Sequence, residues 1–170
     1  VVPYQSKTAK LVLRNGAKFL PRSQDILGLF SSIAADETSS VIGGDGGAAA
    51  FALTIGGWSG AGTVGTGISS LTVTNSLAFA AADILAGKAM TAACPVTIAS
   101  GVKMFLSDPE ELFAALERKS VRYVCAESAV SFAGLPRKDG TSDFKSWKPT
   151  LADGTKLCID TYLGTLLLVR

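Results

Sequence analysis

Short stretches in which apolar and polar side chains alternate recur along the chain and predict β-strands. Residues 8–14 form the first such stretch, and the Asn15-Gly16 pair after it is a strong cue for a hairpin turn. Further strands of this kind are expected at residues 48–55, 68–77, 94–106 and 121–133, with two short ones from 156 onward. The pattern predicts about seven or eight strands in total.

Two segments have helical spacing instead. Residues 24–33 carry apolar side chains at the spacing of one helix face, and Ser23 before them is a suitable N-cap. Residues 109–119 begin with Pro109 and two glutamates, which suit the first turn of a helix and its dipole. Both are expected to be short helices in connections between strands.

Because strands do not alternate regularly with helices, a doubly wound α/β fold is not expected. The pattern predicts an all-β fold, a jelly roll or a two-sheet β-sandwich, formed by a single domain over residues 1–170. No internal repeat is apparent. Residues 134–150 contain glycine, proline and Trp147 and are expected to form an irregular, exposed loop.

A long uncharged run extends from Gly46 to Ala82 and is rich in glycine, alanine, serine and threonine. Two strands joined by a glycine-rich loop explain it best. The run is too dilute in large apolar residues for a membrane-spanning helix, although residues 48–65 could insert into a membrane. Gly60, Gly62 and Gly65 match the spacing of a dinucleotide-binding loop, but no helix is predicted after them.

The composition indicates extensive subunit contacts. Mean hydropathy is +0.36 and 18% of residues are charged, against roughly 25% in an average soluble domain. Monomers in water seldom expose large apolar patches, so the surplus is expected at interfaces between copies of the chain. No integral membrane span is expected.

The sequence contains few features that would indicate a catalytic site or a metal site. The chain contains no histidine, which excludes Ser–His–Asp and Cys–His mechanisms and His-containing zinc sites. Cys94, Cys125 and Cys158 are widely spaced and are expected to be buried side chains, with a disulfide between two of them as the alternative. An enzyme would have to use lysine or carboxylates, and the candidates show no pairing in sequence: Asp45, Asp83, Asp153 and Asp160. We therefore expect no enzyme activity, no cofactor and no metal.

Positive charge is concentrated at the start of the chain. The first 24 residues contain five basic side chains and no acid, and the rest of the chain is net acidic. The basic residues are Lys7, Lys10, Arg14, Lys18 and Arg22. Such a segment suits non-specific contacts with phosphate, although a solvated strand face explains it as well.

These features predict the coat subunit of an icosahedral virus, located in the virion, in which many copies assemble and the basic segment faces packaged nucleic acid. Trp147 is a candidate subunit contact. The main alternative is an adhesin, fibre or phage decoration module at a cell surface or outside the cell, without nucleic acid. A small-ligand-binding β-sandwich, an enzyme and a membrane-active protein are further alternatives.

Overall fold

The computed structural model describes residues 9–21, 31–43, 49–114, 120–139 and 147–162, and these consist mostly of strands. Sheet A contains only parallel strand pairs. Its strands are β1 (Lys10–Leu13), β3 (Ser32–Ala35), β5 (Phe51–Ser59), β7 (Ile68–Ala80), β9 (Val96–Ile98), β10 (Lys103–Ser107), β12 (Phe132–Ala133) and β13 (Arg137–Lys138). The long strand β7 pairs with β9 along its first half and with β10 along its second half.

Sheet B contains the remaining strands and is mixed. Its parallel strands are β2 (Lys18–Phe19), β4 (Ser40–Val41), β6 (Thr63–Val64), β8 (Met90–Ala92) and β11 (Val121–Ser128). An antiparallel hairpin of β14 (Trp147–Ala152) and β15 (Lys156–Thr161) pairs with β11 and ends the sheet. Two short helices, α1 (Ala81–Leu85) and α2 (Pro109–Ala114), lie in crossovers from sheet A to sheet B.

The chain passes alternately through the two sheets and so winds into a parallel β-solenoid. From β1 to β8 each odd-numbered strand lies in sheet A and each even-numbered strand lies in sheet B. Lys10 pairs with Ser32 in sheet A, and Lys18 pairs with Ser40 in sheet B. Each turn of the chain therefore lies directly against the previous turn.

The predicted jelly roll or two-sheet β-sandwich is wrong, because sheet A is parallel throughout. The jelly roll was predicted because strands do not alternate regularly with helices. Parallel neighbours need a crossover of a dozen or more residues, which a helix commonly supplies. Here the crossovers from β1 to β9 each pass through a short strand of the opposite sheet, and helices lie in two crossovers of the fold. The connections are thus α/β-like although strands dominate.

Inward-facing side chains form columns across the sheets. Ile33, Trp58, Leu77 and Met104 lie on four successive strands of sheet A in one register, and all are buried. Val41, Val64 and Ala92 form a similar buried column in sheet B. Burying each large apolar side chain stabilises the fold by roughly 1.5–3 kcal/mol. The columns meet in one contiguous core between the sheets.

Glycines occur where successive turns approach most closely. Gly60 and Gly67 have positive φ angles of 89° and 81°. A side chain on Gly60 would overlap the carbonyl oxygen of Ala35 on the preceding turn, and one on Gly67 would overlap that of Gly43. No helix follows Gly65, since β7 begins at Ile68. The spacing that resembles a dinucleotide-binding loop therefore reflects stacking of turns.

Three local predictions need correction. The Asn15-Gly16 turn has the expected positive φ angles of 56° and 77°, but it joins strands in different sheets and forms no hairpin. Ile33, predicted to end a helix, lies in β3, while residues 24–30 of that segment lie outside the described residues. The predicted loop at 134–150 contains β13 and the start of β14, and residues 140–146 are not among those described.

Candidate interaction surface

The outer face of sheet A carries a mostly apolar row, with one serine, that crosses five strands in register. Its members are Val12, Ala34, Ser59, Ala78 and Phe105. Val12 is 50% exposed and Phe105 is 39% exposed. With strands about 4.8 Å apart, the row is roughly 19 Å long.

The middle of this row is low because its side chains are small. Two shallow depressions, of about 310 and 430 Å³, lie along it and share Ser59 and Gly60. Val12 lines the first depression and Phe105 lines the second. The row is therefore a continuous shallow trough with a large apolar side chain at each end.

A basic edge borders the trough on the side where the strands begin. The row in register there is Lys10, Ser32, Gly57, Ser76, Lys103 and Arg137. The three basic side chains of this row are exposed, and the row contains no acidic residue. Parallel pairing places them together, because Lys10, Lys103 and Arg137 are the first residues of β1, β10 and β13, and the row crosses β5 and β7 in mid-strand at Gly57 and Ser76.

The opposite border, where the strands end, carries acidic side chains. Asp36 follows β3, Asp83 lies in α1 after β7, and Asp108 follows β10, while Arg14 after β1 is an exception. The pKa of Asp36 is lowered from 3.8 to about 2 by the nearby Ser39 hydroxyl and by hydrogen bonds from the Asn15 amide and from Thr38. Asp36 is therefore ionised at neutral pH.

The five predicted nucleic-acid-facing residues do not lie on one surface. Lys10 and Arg14 lie at opposite borders of the trough, and Lys18 is exposed on sheet B. Lys7 and Arg22 lie outside the described residues. Lys10 shares its row with Lys103 and Arg137, which sequence analysis missed because they are far along the chain and only strand pairing aligns them.

Trp147 is buried, with 1% of its surface exposed, and is not on an exposed loop. Its indole lies at the start of β14, and the ammonium nitrogen of Lys138 is 4.8 Å from the ring centre. This position assigns the ring to packing within the chain. Its role as a subunit contact stays a prediction that the structure gives no direct reason to favour.

The candidate catalytic carboxylates are dispersed. Asp160 accepts two hydrogen bonds from Arg122, at 2.7 and 3.0 Å, and this pairing lowers its pKa. Asp153 lies in the turn between β14 and β15, Asp83 lies in α1, and Asp45 is outside the described residues. Within the described ranges no group of three or more potential ligands could hold a metal ion.

All three cysteines are buried with free thiols. Burial raises the pKa of Cys94, Cys125 and Cys158, so each is a protonated thiol at neutral pH. Nucleophilic cysteines need the thiolate form and access to a substrate. These side chains therefore act as small core residues.

None of the helices in the described part of the chain is long and apolar enough to cross a membrane. Comparison of the chain with protein-family models, curated proteins and solved structures identifies no match.

Proposed function

We propose that this protein is a structural subunit that assembles with copies of itself through the outer face of sheet A. The observation that carries the proposal is the apolar trough between a basic edge and an acidic edge. An exposed apolar stripe with polar borders is typical of a surface that meets another protein. A second copy fits because most charges on the two borders are opposite in sign, with Arg14 on the acidic border as the exception.

The geometry of such a contact follows from symmetry. A two-fold axis that lies between two copies and parallel to the trough brings the two sheets face to face with their strands antiparallel, as in aligned sheet packing. This operation places the basic edge of one copy against the acidic edge of the other. Lys103 then lies within reach of Asp83 in the second copy, and the small side chains in the middle allow close approach.

The contact area indicates that one such interface is weak alone. The face covers roughly 300 Å² per copy, whereas a stable interface buries about 800 Å² per partner. Further exposed apolar side chains lie elsewhere on the described surface and can supply additional contacts: Leu20, Leu85, Val130, Leu135, Leu151 and Tyr162. Several weak contacts per subunit suit an assembly of many copies.

The assembly can take two forms. A closed virus coat, located in the virion, would leave Lys18 on sheet B to meet packaged nucleic acid through non-specific phosphate contacts, because Lys10 and Arg14 border the self-contact. An adhesin, fibre or decoration module at a cell surface would use the same self-contact without nucleic acid. Because the fold is a solenoid, a jelly-roll fold no longer supports a virus coat. The low content of charged residues and the basic residues near the start of the chain still support it.

The mass of the native material tests the proposal. Light scattering, negative-stain imaging and the absorbance ratio for nucleic acid would be measured together. Closed megadalton particles that contain nucleic acid would support the coat form, and open polymers without nucleic acid would support the fibre form. A monomer at all concentrations would refute assembly in either form.

A charge exchange tests the face itself. Lys103→Glu places a carboxylate opposite Asp83 of the second copy, so the self-association constant should fall about tenfold, the equivalent of roughly 1.4 kcal/mol. Lys103→Glu combined with Asp83→Lys restores the pairing with reversed signs, and association should recover. If the double variant associates no better than the single one while both unfold at the same urea concentration, the proposed face is wrong.

A further inference from the structure

A second concave surface, separate from the trough, lies along the outer face of sheet B. It is an open groove of about 560 Å³ between the loop after α1 and strand β11. Lys88 of that loop is held in place because its amide donates to the carbonyl of Asp83 at 2.9 Å. The polar side chains that line the groove are Glu37, Thr63, Lys88, Thr91, Arg122, Tyr123 and Glu127.

The floor of the groove is a row of hydrogen-bonding side chains. Thr63, Thr91 and Glu127 lie on three neighbouring strands in one register. The hydroxyl oxygens of Thr63 and Thr91 are 2.9 Å apart and share one hydrogen bond. Each hydroxyl keeps further capacity, since a hydroxyl can donate once and accept twice.

The charged side chains of the groove are paired and so held in position. Lys88 donates to Glu37 at 2.7 Å, and Arg122 makes two hydrogen bonds to Asp160. A carboxylate oxygen of Glu127 lies 3.6 Å from the ammonium nitrogen of Lys156. An ammonium has three N–H donors and a guanidinium has five, so pairing leaves donors directed toward solvent.

The lining is electrically balanced. It contains two carboxylates, Glu37 and Glu127, and two cations, Lys88 and Arg122. Hydrogen bonding to Lys88 lowers the pKa of Glu37 and raises that of Lys88, so both remain charged at neutral pH. An anionic ligand would meet the carboxylates and a cationic ligand would meet the cations, which disfavours both.

Apolar surface is also present within the groove. Ala61, Ile84 and Val124 contribute to its lining. The hydroxyl of Tyr123 donates to the carbonyl of Leu112 at 3.4 Å, which holds that ring against the wall. A ligand with C–H faces and many hydroxyl groups matches this mixture.

We propose that the groove on sheet B binds a neutral oligosaccharide. Sugar hydroxyls both donate and accept, so they can bond at once to carboxylates, to Arg122 and Lys88 and to the threonine row. The volume lies within the range of about 300–1,000 Å³ that small-molecule sites occupy. The groove lies on sheet B and the proposed self-contact lies on sheet A, so sugar binding and self-association can be refuted independently of each other.

The test uses the full chain and a fixed panel of probes. The neutral probes are maltotriose, cellotriose, mannotriose and tri-N-acetylchitotriose, and the charged probes are sialyllactose and deacetylated chitotriose. Binding is followed by calorimetry and by saturation-transfer NMR. At least one neutral trisaccharide should bind with a Kd of about 1 mM or tighter and charged probes more weakly.

Matched variants locate the site. Thr91→Val removes a hydroxyl at nearly constant shape and should weaken neutral-trisaccharide binding about tenfold, the loss expected when sugar hydroxyls lose a partner. Thr97→Val makes the same change on an exposed strand of sheet A and should leave binding unchanged. The inference is wrong if the two variants weaken binding equally. It is also wrong if only the charged probes bind, or if no neutral probe binds.

Discussion

At the scale of single residues, backbone contacts between turns decide where glycine is required. Gly67 and Gly101 both have a positive φ angle, of 81° and 88°. A side chain on Gly101 would meet open space, whereas one on Gly67 would overlap the backbone of Gly43. The two positions therefore separate the cost of an unfavourable φ angle from the cost of a blocked contact between turns.

We predict that Gly67→Ala destabilises the fold more than Gly101→Ala. The left-handed conformation costs an alanine roughly 1–2 kcal/mol at either position. The overlap at Gly67 adds about 1–3 kcal/mol, because the preceding turn has to shift. Urea unfolding monitored by circular dichroism measures both free energies. Equal losses would contradict close stacking of the turns at Gly43 and Gly67.

At the scale of elements, the hairpin of β14 and β15 ends sheet B with antiparallel strands. It also contributes Trp147 and Ile159 to the buried side chains. The indole nitrogen of Trp147 has no hydrogen-bond partner among the described residues. The ring therefore stabilises the end of the solenoid by packing and through the nearby Lys138 ammonium rather than by hydrogen bonding.

We predict that Trp147→Ala lowers the free energy of unfolding by about 3–5 kcal/mol, because it leaves a large cavity. Trp147→Phe should cost clearly less, since it keeps an aromatic face and removes a buried donor that lacks a partner. Denaturant unfolding and light scattering are measured on both variants. Loss of assembly without loss of stability in Trp147→Ala would instead support the subunit-contact role predicted from sequence.

At the scale of the whole molecule, acidic side chains join parts of the chain that are distant in sequence. Asp36 accepts a hydrogen bond from the amide of Asn15, Glu37 pairs with Lys88, and Asp160 pairs with Arg122. In each case the pKa of the carboxyl group is lowered, for Asp36 to about 2 by the nearby Ser39 hydroxyl and the Asn15 amide. These contacts therefore act as links between turns.

Stability should consequently fall in acid. A carboxyl group with a lowered pKa in the folded state contributes stability above its unfolded value, and the contribution is lost as pH falls through the folded value. For Asp36 that interval runs from about 3.8 to about 2. We predict that the urea midpoint falls over this interval and that Asp36→Asn makes the fall shallower. The control is Asp153→Asn at an exposed turn, for which the urea midpoint should change with pH as it does in the unsubstituted protein. If the urea midpoint changes with pH in the same way in all three proteins, this role of Asp36 is wrong.

Much of the local structure could be predicted from the sequence. The strands β1, β5, β7, β9, β10 and β11 lie in stretches where strands were predicted, because side chains on a strand face inward and outward with a period of two residues. The predicted total of seven or eight strands is wrong, since the described residues form fifteen, and the predicted strand at 121–133 ends at Ser128. The helix at Pro109 and the burial of all three cysteines were likewise predicted. The absence of histidine excludes Ser–His–Asp and Cys–His mechanisms and His-containing zinc sites, and this follows from the sequence alone.

Only the tertiary structure decided which strands are neighbours and in which direction they run. Parallel and antiparallel pairs use the same backbone groups, so a short alternating stretch does not reveal its partner. The turns of the solenoid differ in length, which hides the repeat in the sequence. Lys10, Lys103 and Arg137 form one edge, and Thr63, Thr91 and Glu127 form one floor, solely because strand pairing aligns residues that are far apart along the chain.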